Sequence, residues 1–266
     1  MLQPPQKSTL AEWFTTPRGE YVLSWERGQL AAAVDDVFGF CALQVGLPEI
    51  DFLAENRIPF RFRAGVEPGC EVRADPVHLP IASASIDLVV LPHVLEFSEN
   101  PHQILREAER VLMPEGQLVV AGFNPLSLWG AKRALSRRRR SEYPWRGDFI
   151  GLLRLRDWLK LLGFELNGGK FGCYAPPFRQ APWLHGWRFM ERAGDRWWPI
   201  AGGVYVVRAV KRVAGMRLVM PNWKNSTARL RVLSPVARPQ RSAAQQRAAP
   251  QLRLIVGGRS NGGERG

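Results

Sequence analysis

RADPVHLPIASASIDLVVLPHVLEFSENPHQILREAERVLMPEGQLVVAGFNP, residues 73–125, contains two apolar runs with an amphipathic run between them. SIDLVVL (85–91) is nearly continuous in apolar residues, as a strand covered on both faces must be. NPHQILREAERVLMPEG (100–116) places Ile104, Leu105, Ala108, Val111 and Leu112 on one helical face. It opens with Asn100 as a cap and Pro101 at the first helical position, and stops at Pro114 and Gly116. QLVVAGF (117–123) is a second strand. A strand, a helix and a strand in this order form a parallel unit.

Reading outward gives more of the same alternation. Upstream, FCALQV (40–45) is an apolar run ending at Gly46, and IPFRFR (58–63) alternates like a strand. Residues 19–38 carry Leu23, Leu30, Val34 and Val37 at helical spacing. Downstream, LRDWLKLLGF (155–164) is a helix closed by Gly163, and GGVYVVRAVKR (202–212) is a final strand. The pattern predicts an α/β domain with a mostly parallel sheet and helices on both faces. Residues 175–200 hold four prolines and four of the ten tryptophans, and read as an aromatic-anchored insertion with at most a short helix. A lid over a pocket is the sharper reading of that segment.

Residues 73–125 resemble the central part of class I S-adenosylmethionine-dependent methyltransferases of type 11. The resemblance rests on Ala74-Asp75, Leu79-Pro80-Ile81, Ile86-Asp87-Leu88-Val89, Val94-Leu95-Glu96, Leu105-Arg106-Glu107, Arg110-Val111-Leu112 and Pro114-x-Gly116. It extends over roughly residues 40–210 and implies a Rossmann-like methyltransferase sheet with S-adenosylmethionine as cofactor. Carried over by position, it assigns Asp75 to the adenine amino group and Gly46 to the first glycine of the cofactor loop. The strand end from Leu91 to His93 falls beside the methionine moiety, and Asp87 is the acid that opens its strand. The implied cofactor set is therefore Gln44, Gly46, Asp75 and His93. His93 and Glu96 are the candidates for a catalytic role, each with a structural alternative. Phe97 stands where many relatives carry His.

The chain departs from the family at two places. The loop pattern acid-x-Gly-x-Gly-x-Gly reads here Gln44-Val45-Gly46-Leu47-Pro48-Glu49-Ile50, with one glycine of three retained. Only Ala64 to Cys70 separate IPFRFR from EVRAD, fewer than a parallel crossover with a helix requires. Glu67 lies at a plausible distance for the acid that grips the ribose, without a convincing strand before it. Methyl transfer from a sulfonium chiefly needs donor and acceptor held in line, so no strong base is expected. The alternative is a non-catalytic protein of the same fold that binds nucleic acid or a protein.

Charge is unevenly spread. The formal net charge is +13, with −8 in residues 1–130, +10 in 131–210 and +11 in 211–266. KRALSRRRRSEYPWRG (132–147) suggests an anion-binding arm in which Arg137, Arg138, Arg139 and Arg140 contact nucleic acid or an anionic acceptor, with a solvated loop as the plain reading. Residues 213–266 read as a disordered basic tail. The organisation is thus an N-terminal helical segment (1–39), a methyltransferase domain (40–212) with an insertion near 175–200, and the tail. Three cysteines without CxxC spacing and four isolated histidines argue against a disulfide scaffold and a metal site. No Ser/His/Asp or Cys/His set is visible. No apolar leader or membrane span is visible, so a cytoplasmic location is expected.

Overall fold

A computed structural model of the chain describes residues 9–135, 142–178 and 189–213. Arg137–Arg140 and the tail beyond Val213 lie outside the described residues, as does most of the first half of the 175–200 insertion. Two helices, α1 (Leu10–Phe14) and α2 (Pro17–Val34), precede the sheet. Thr9 and Glu12 form a reciprocal capping box at the start of α1, and Thr16 caps α2 with Pro17 at its first position.

The strands are β1 (Cys41–Val45), β2 (Phe60–Gly65), β3 (Val72–Arg73), β4 (Ile86–Pro92), β5 (Leu112–Phe123), β6 (Phe164–Gly172) and β7 (Val204–Lys211). Helices α3 (Val94–Phe97) and α4 (Pro101–Val111) join β4 to β5. Helices α5 (Leu128–Leu135) and α6 (Leu152–Leu161) follow β5, and α7 (Phe189–Trp197) precedes β7. The sheet order is β3-β2-β1-β4-β5-β7-β6. β1 to β5 pair in parallel, and β7 runs antiparallel between β5 and β6.

Strand parity builds two cores. Leu88, Val90, Val119 and Ala121 face α1, α2 and the rings of Phe123, Trp129 and Trp145. Val89, Leu91, Leu118 and Val120 face α4 and α6. Both faces of the central strands are covered, which explains why β4 and β5 are apolar without alternation.

Two points of the sequence reading need correction. The α4 helix stops at Val111, because Leu112 already pairs with Ile86 and the next register pair is Leu88 with Gln117. Residues 113–116 lie within β5 at a register irregularity between those pairs. Lys211 Nζ caps the helix end, donating to the carbonyls of Glu109 (2.6 Å) and Leu112 (3.0 Å). β6 gave no sequence signal: it is an edge strand of mixed Gly, Lys, Asn and Glu with one apolar partner row. The insertion contributes a nine-residue helix, α7.

Candidate functional site

A cavity of about 460 Å³ opens at the carboxyl ends of β1, β2 and β4, the edge where ligands bind in open parallel sheets. Its walls come from the residues that follow each strand, together with Thr9, Leu10 and Ala11 of the N-terminal segment. Glu49, Glu67 and Asp75 supply carboxylates, and among the described residues no Lys or Arg lines the cavity. The rest is largely apolar, with Val66, Val94, Phe97, Ile104 and Tyr143.

Gly46 follows β1 with φ +77°, and its N–H donates to the Ala64 carbonyl at 2.8 Å. A Cβ there would lie 2.9 Å from Val94 Cγ2, so conformation and space both demand glycine. Gln44 sits behind this turn rather than against the cavity. Its amide group faces the carbonyls of Gly46 (3.1 Å), Leu47 (3.0 Å) and Ile50 (2.8 Å), and its Oε1 accepts from Phe52 N–H at 2.9 Å. The amide is spent on folding the loop, which places Gln44 outside the ligand-facing set. Ile50, Phe52 and Leu53 turn into the core, and residues 46–59 contain no helix.

Asp75 is exposed on the cavity wall. Its Oδ1 accepts from Val77 N–H at 3.0 Å, and its carbonyl accepts from His78 N–H at 2.9 Å, an Asx-type turn that aims the carboxylate. Glu67 follows β2 by two residues, because that strand extends to Gly65 and does not end at Arg63. A Cβ on Gly65 would come within 2.7 Å of Glu67 Oε2, so Gly65 makes room for this carboxylate. The sequence showed Glu67 but hid the strand before it, because Ala64 and Gly65 lack β-propensity. The link from Val66 to Glu71 has no helix, as the spacing predicted. Arg63 anchors it, donating to the Pro48 carbonyl at 2.8 Å and pairing with Glu71. That pairing holds the Glu71 carboxyl down at about 2. Asp87 lies away from the cavity and accepts from the N–H groups of Phe40 (2.7 Å) and Cys41 (3.0 Å), fixing the start of β1.

His93 begins α3 in the left-handed region, with φ 56°. Its backbone joins the cavity floor beside Pro92, while its side chain is wholly buried. Nδ1 lies 2.9 Å from Glu96 Oε2 and Nε2 lies 2.6 Å from Glu26 Oε1. The rings of Phe14 and Phe123 flank it. Burial favours the neutral imidazole, but Glu26 and Glu96 outweigh it and raise the pKa to about 10. His93 is therefore an imidazolium with both N–H groups engaged. Burial raises the Glu96 pKa against the lowering effect of its bonds to His93 and Phe123 N–H. The structure gives neither candidate a free atom toward the cavity, so a general-base role has no geometric support. Glu26 escaped sequence reading although a signal was there: Val22, Glu26, Leu30 and Val34 form one buried stripe at a spacing of four. An acid inside such a stripe requires a buried partner.

Residues 54–120 match the family described as a methyltransferase domain. Over that stretch, about a quarter of the chain, it is similar to a type 11 methyltransferase domain. The S-adenosylmethionine-dependent methyltransferase of Thermotoga maritima has 17% identity and a TM-score of 0.51, over 73% of this chain and 97% of that one. One from Archaeoglobus fulgidus has 16% identity and a TM-score of 0.51, over 73% and 96%. At such identities the likeness shows the fold alone. Among curated proteins, the uncharacterized protein YafS of Escherichia coli K12 is 39% identical over 122 residues, covering 46% of this chain and 48% of its own length. The uncharacterized protein MJ1123 of Methanocaldococcus jannaschii is 30% identical over 87 residues, 33% of this chain and 42% of its own. The chain thus spans about half or less of the curated relatives it matches. No helix of the described residues is long and apolar enough to cross a membrane.

Proposed function

We propose that the protein is an S-adenosylmethionine-dependent methyltransferase whose cavity holds the cofactor between Gly46, Glu67, Asp75 and the backbone of Pro92 and His93. The observation that carries this reading is the convergence of two carboxylates and an obligatory positive-φ glycine on one cavity, each following a different parallel strand. Asp75 accepts a hydrogen bond from the adenine amino group, and Glu67 accepts from the ribose hydroxyls. Glycine at 46 lets the backbone approach the ligand closely. Bound there, the cofactor supplies an electrophilic methyl group on a positively charged sulfur. The chain's part is to bind, to orient the acceptor in line and to exclude water. Thr9, Leu10, Phe97 and Tyr143 line the same cavity and give the acceptor side an apolar wall with hydroxyl groups. Among the described residues that lining has no Lys or Arg, which favours an uncharged acceptor over the anionic one that the Arg137–Arg140 run suggests.

Titration calorimetry of the full-length chain tests the reading. S-adenosylmethionine and S-adenosylhomocysteine are both expected to bind at one site. Absence of heat and of any thermal shift at millimolar ligand would overturn it in favour of a non-catalytic protein.

A further inference from the structure

Carboxylates lie beneath the cavity floor as well as on its wall. Behind the floor at Pro92 and His93 lie Glu26, Glu96 and a single imidazolium, all with essentially no solvent exposure. Both oxygens of Glu96 accept bonds, from His93 and from Phe123 N–H. Glu26 uses Oε1 on His93, and its Oε2 is buried with no hydrogen-bond partner. An uncompensated buried carboxylate is costly, and a cation brought near it offsets part of that cost. Position 44 of the loop supplies no charge, because it is a glutamine whose amide is already engaged, and the loop's carboxylate in the cavity lining is Glu49.

We infer that the buried Glu26–His93–Glu96 cluster is a counter-charge for the sulfonium of the bound cofactor, acting through the β4 end. The inference rests on the cofactor reading above. Glu26 is a positioning residue: it holds the imidazolium and leaves one excess negative charge under the floor. Methyl transfer breaks the carbon–sulfur bond, leaves that electron pair on sulfur and passes the methyl to an acceptor lone pair. Sulfur becomes a neutral thioether, so the attraction lapses in the product. A low-dielectric surrounding makes such a charge effective at short range.

The test compares three ligands on the full-length protein and on E26Q, with melting temperature measured first. S-adenosylmethionine carries a sulfonium, sinefungin carries an ammonium near that position, and S-adenosylhomocysteine carries neither. E26Q should weaken the two cationic ligands severalfold more than the homocysteine form, and Glu26→Asp should restore much of the difference. Equal losses for all three would overturn the proposal and reduce the cluster to a packing element. If E26Q does not fold, E96Q serves for the same comparison. If the unaltered protein binds none of the three, the cofactor reading fails, and this inference fails with it.

Discussion

The β4–α4–β5 unit and the β1–β2–β3 edge belong to one sheet but are held together differently. In the first, α4 buries Ile104, Leu105, Ala108 and Val111 against β4 and β5, and hydrophobic area does the work. In the second, neither residues 46–59 nor 66–71 contain a helix. Side-chain hydrogen bonds to backbone carbonyls take over. Gln44 gathers the loop after β1. Arg61 donates to the carbonyls of Leu53 (2.9 Å), Ala54 (3.2 Å) and Asn56 (3.0 Å). Asn56 donates to those of Val34 and Val37 at the end of α2. A sheet edge can therefore keep its strands in register after losing its crossover helices, provided that polar clamps satisfy the loops. The ligand-facing loops of the candidate site sit largely on the clamped side.

The largest expected effect comes from breaking one clamp. Gln44→Ala leaves Phe52 N–H and up to three carbonyls unsatisfied in a buried loop, and should cost about 3 kcal/mol in urea denaturation. A loss near zero would mean that the loop is held by its apolar side chains and that the contrast between the two halves is wrong. A second effect sits at their junction, in His93. Its folded pKa of about 10 exceeds the ordinary 6.5, so its stabilisation is complete below the unfolded value and is lost as pH rises toward 10. The melting temperature should fall between about pH 6.5 and 7.5, below the range where unfolded cysteine and tyrosine titrate. A flat profile there would mean a neutral His93.

A smaller expectation separates binding from folding. Asp75 is exposed, so Asp75→Ala should change the stability measured by urea denaturation by no more than about 0.5 kcal/mol. The smallest concerns the tail. The sheet is complete when β7 ends at Lys211, so removing residues 214–266 should not shift the transition. A fall in melting temperature would show that the tail packs on the domain.

The two halves were not equally legible. Apolar runs at 85–91 and 117–123 with a capped amphipathic helix between them specify a parallel unit almost unaided. Burial on both faces leaves no polar alternation to misread. At the other edge, Gly46 and Asp75 were visible because turn chemistry and the resemblance single them out. Gln44 was read toward the ligand because a sequence cannot show that an amide is already saturated by its own loop. The Glu26–His93 bond joins positions 67 apart in the chain, and no local pattern encodes it beyond the acid in the α2 stripe. β6 was missed because an edge strand needs few apolar residues, and its glycines imitate a loop.

The central claim is that the clamped edge still forms a working cofactor site, and calorimetry of the full-length protein and its Asp75→Ala variant measures this most directly. The account predicts one saturable site for S-adenosylmethionine, weakened by about 1–3 kcal/mol when Asp75 is removed, with folding unaltered. Equal affinity in the two proteins would place the ligand elsewhere, and no binding to either would contradict the claim.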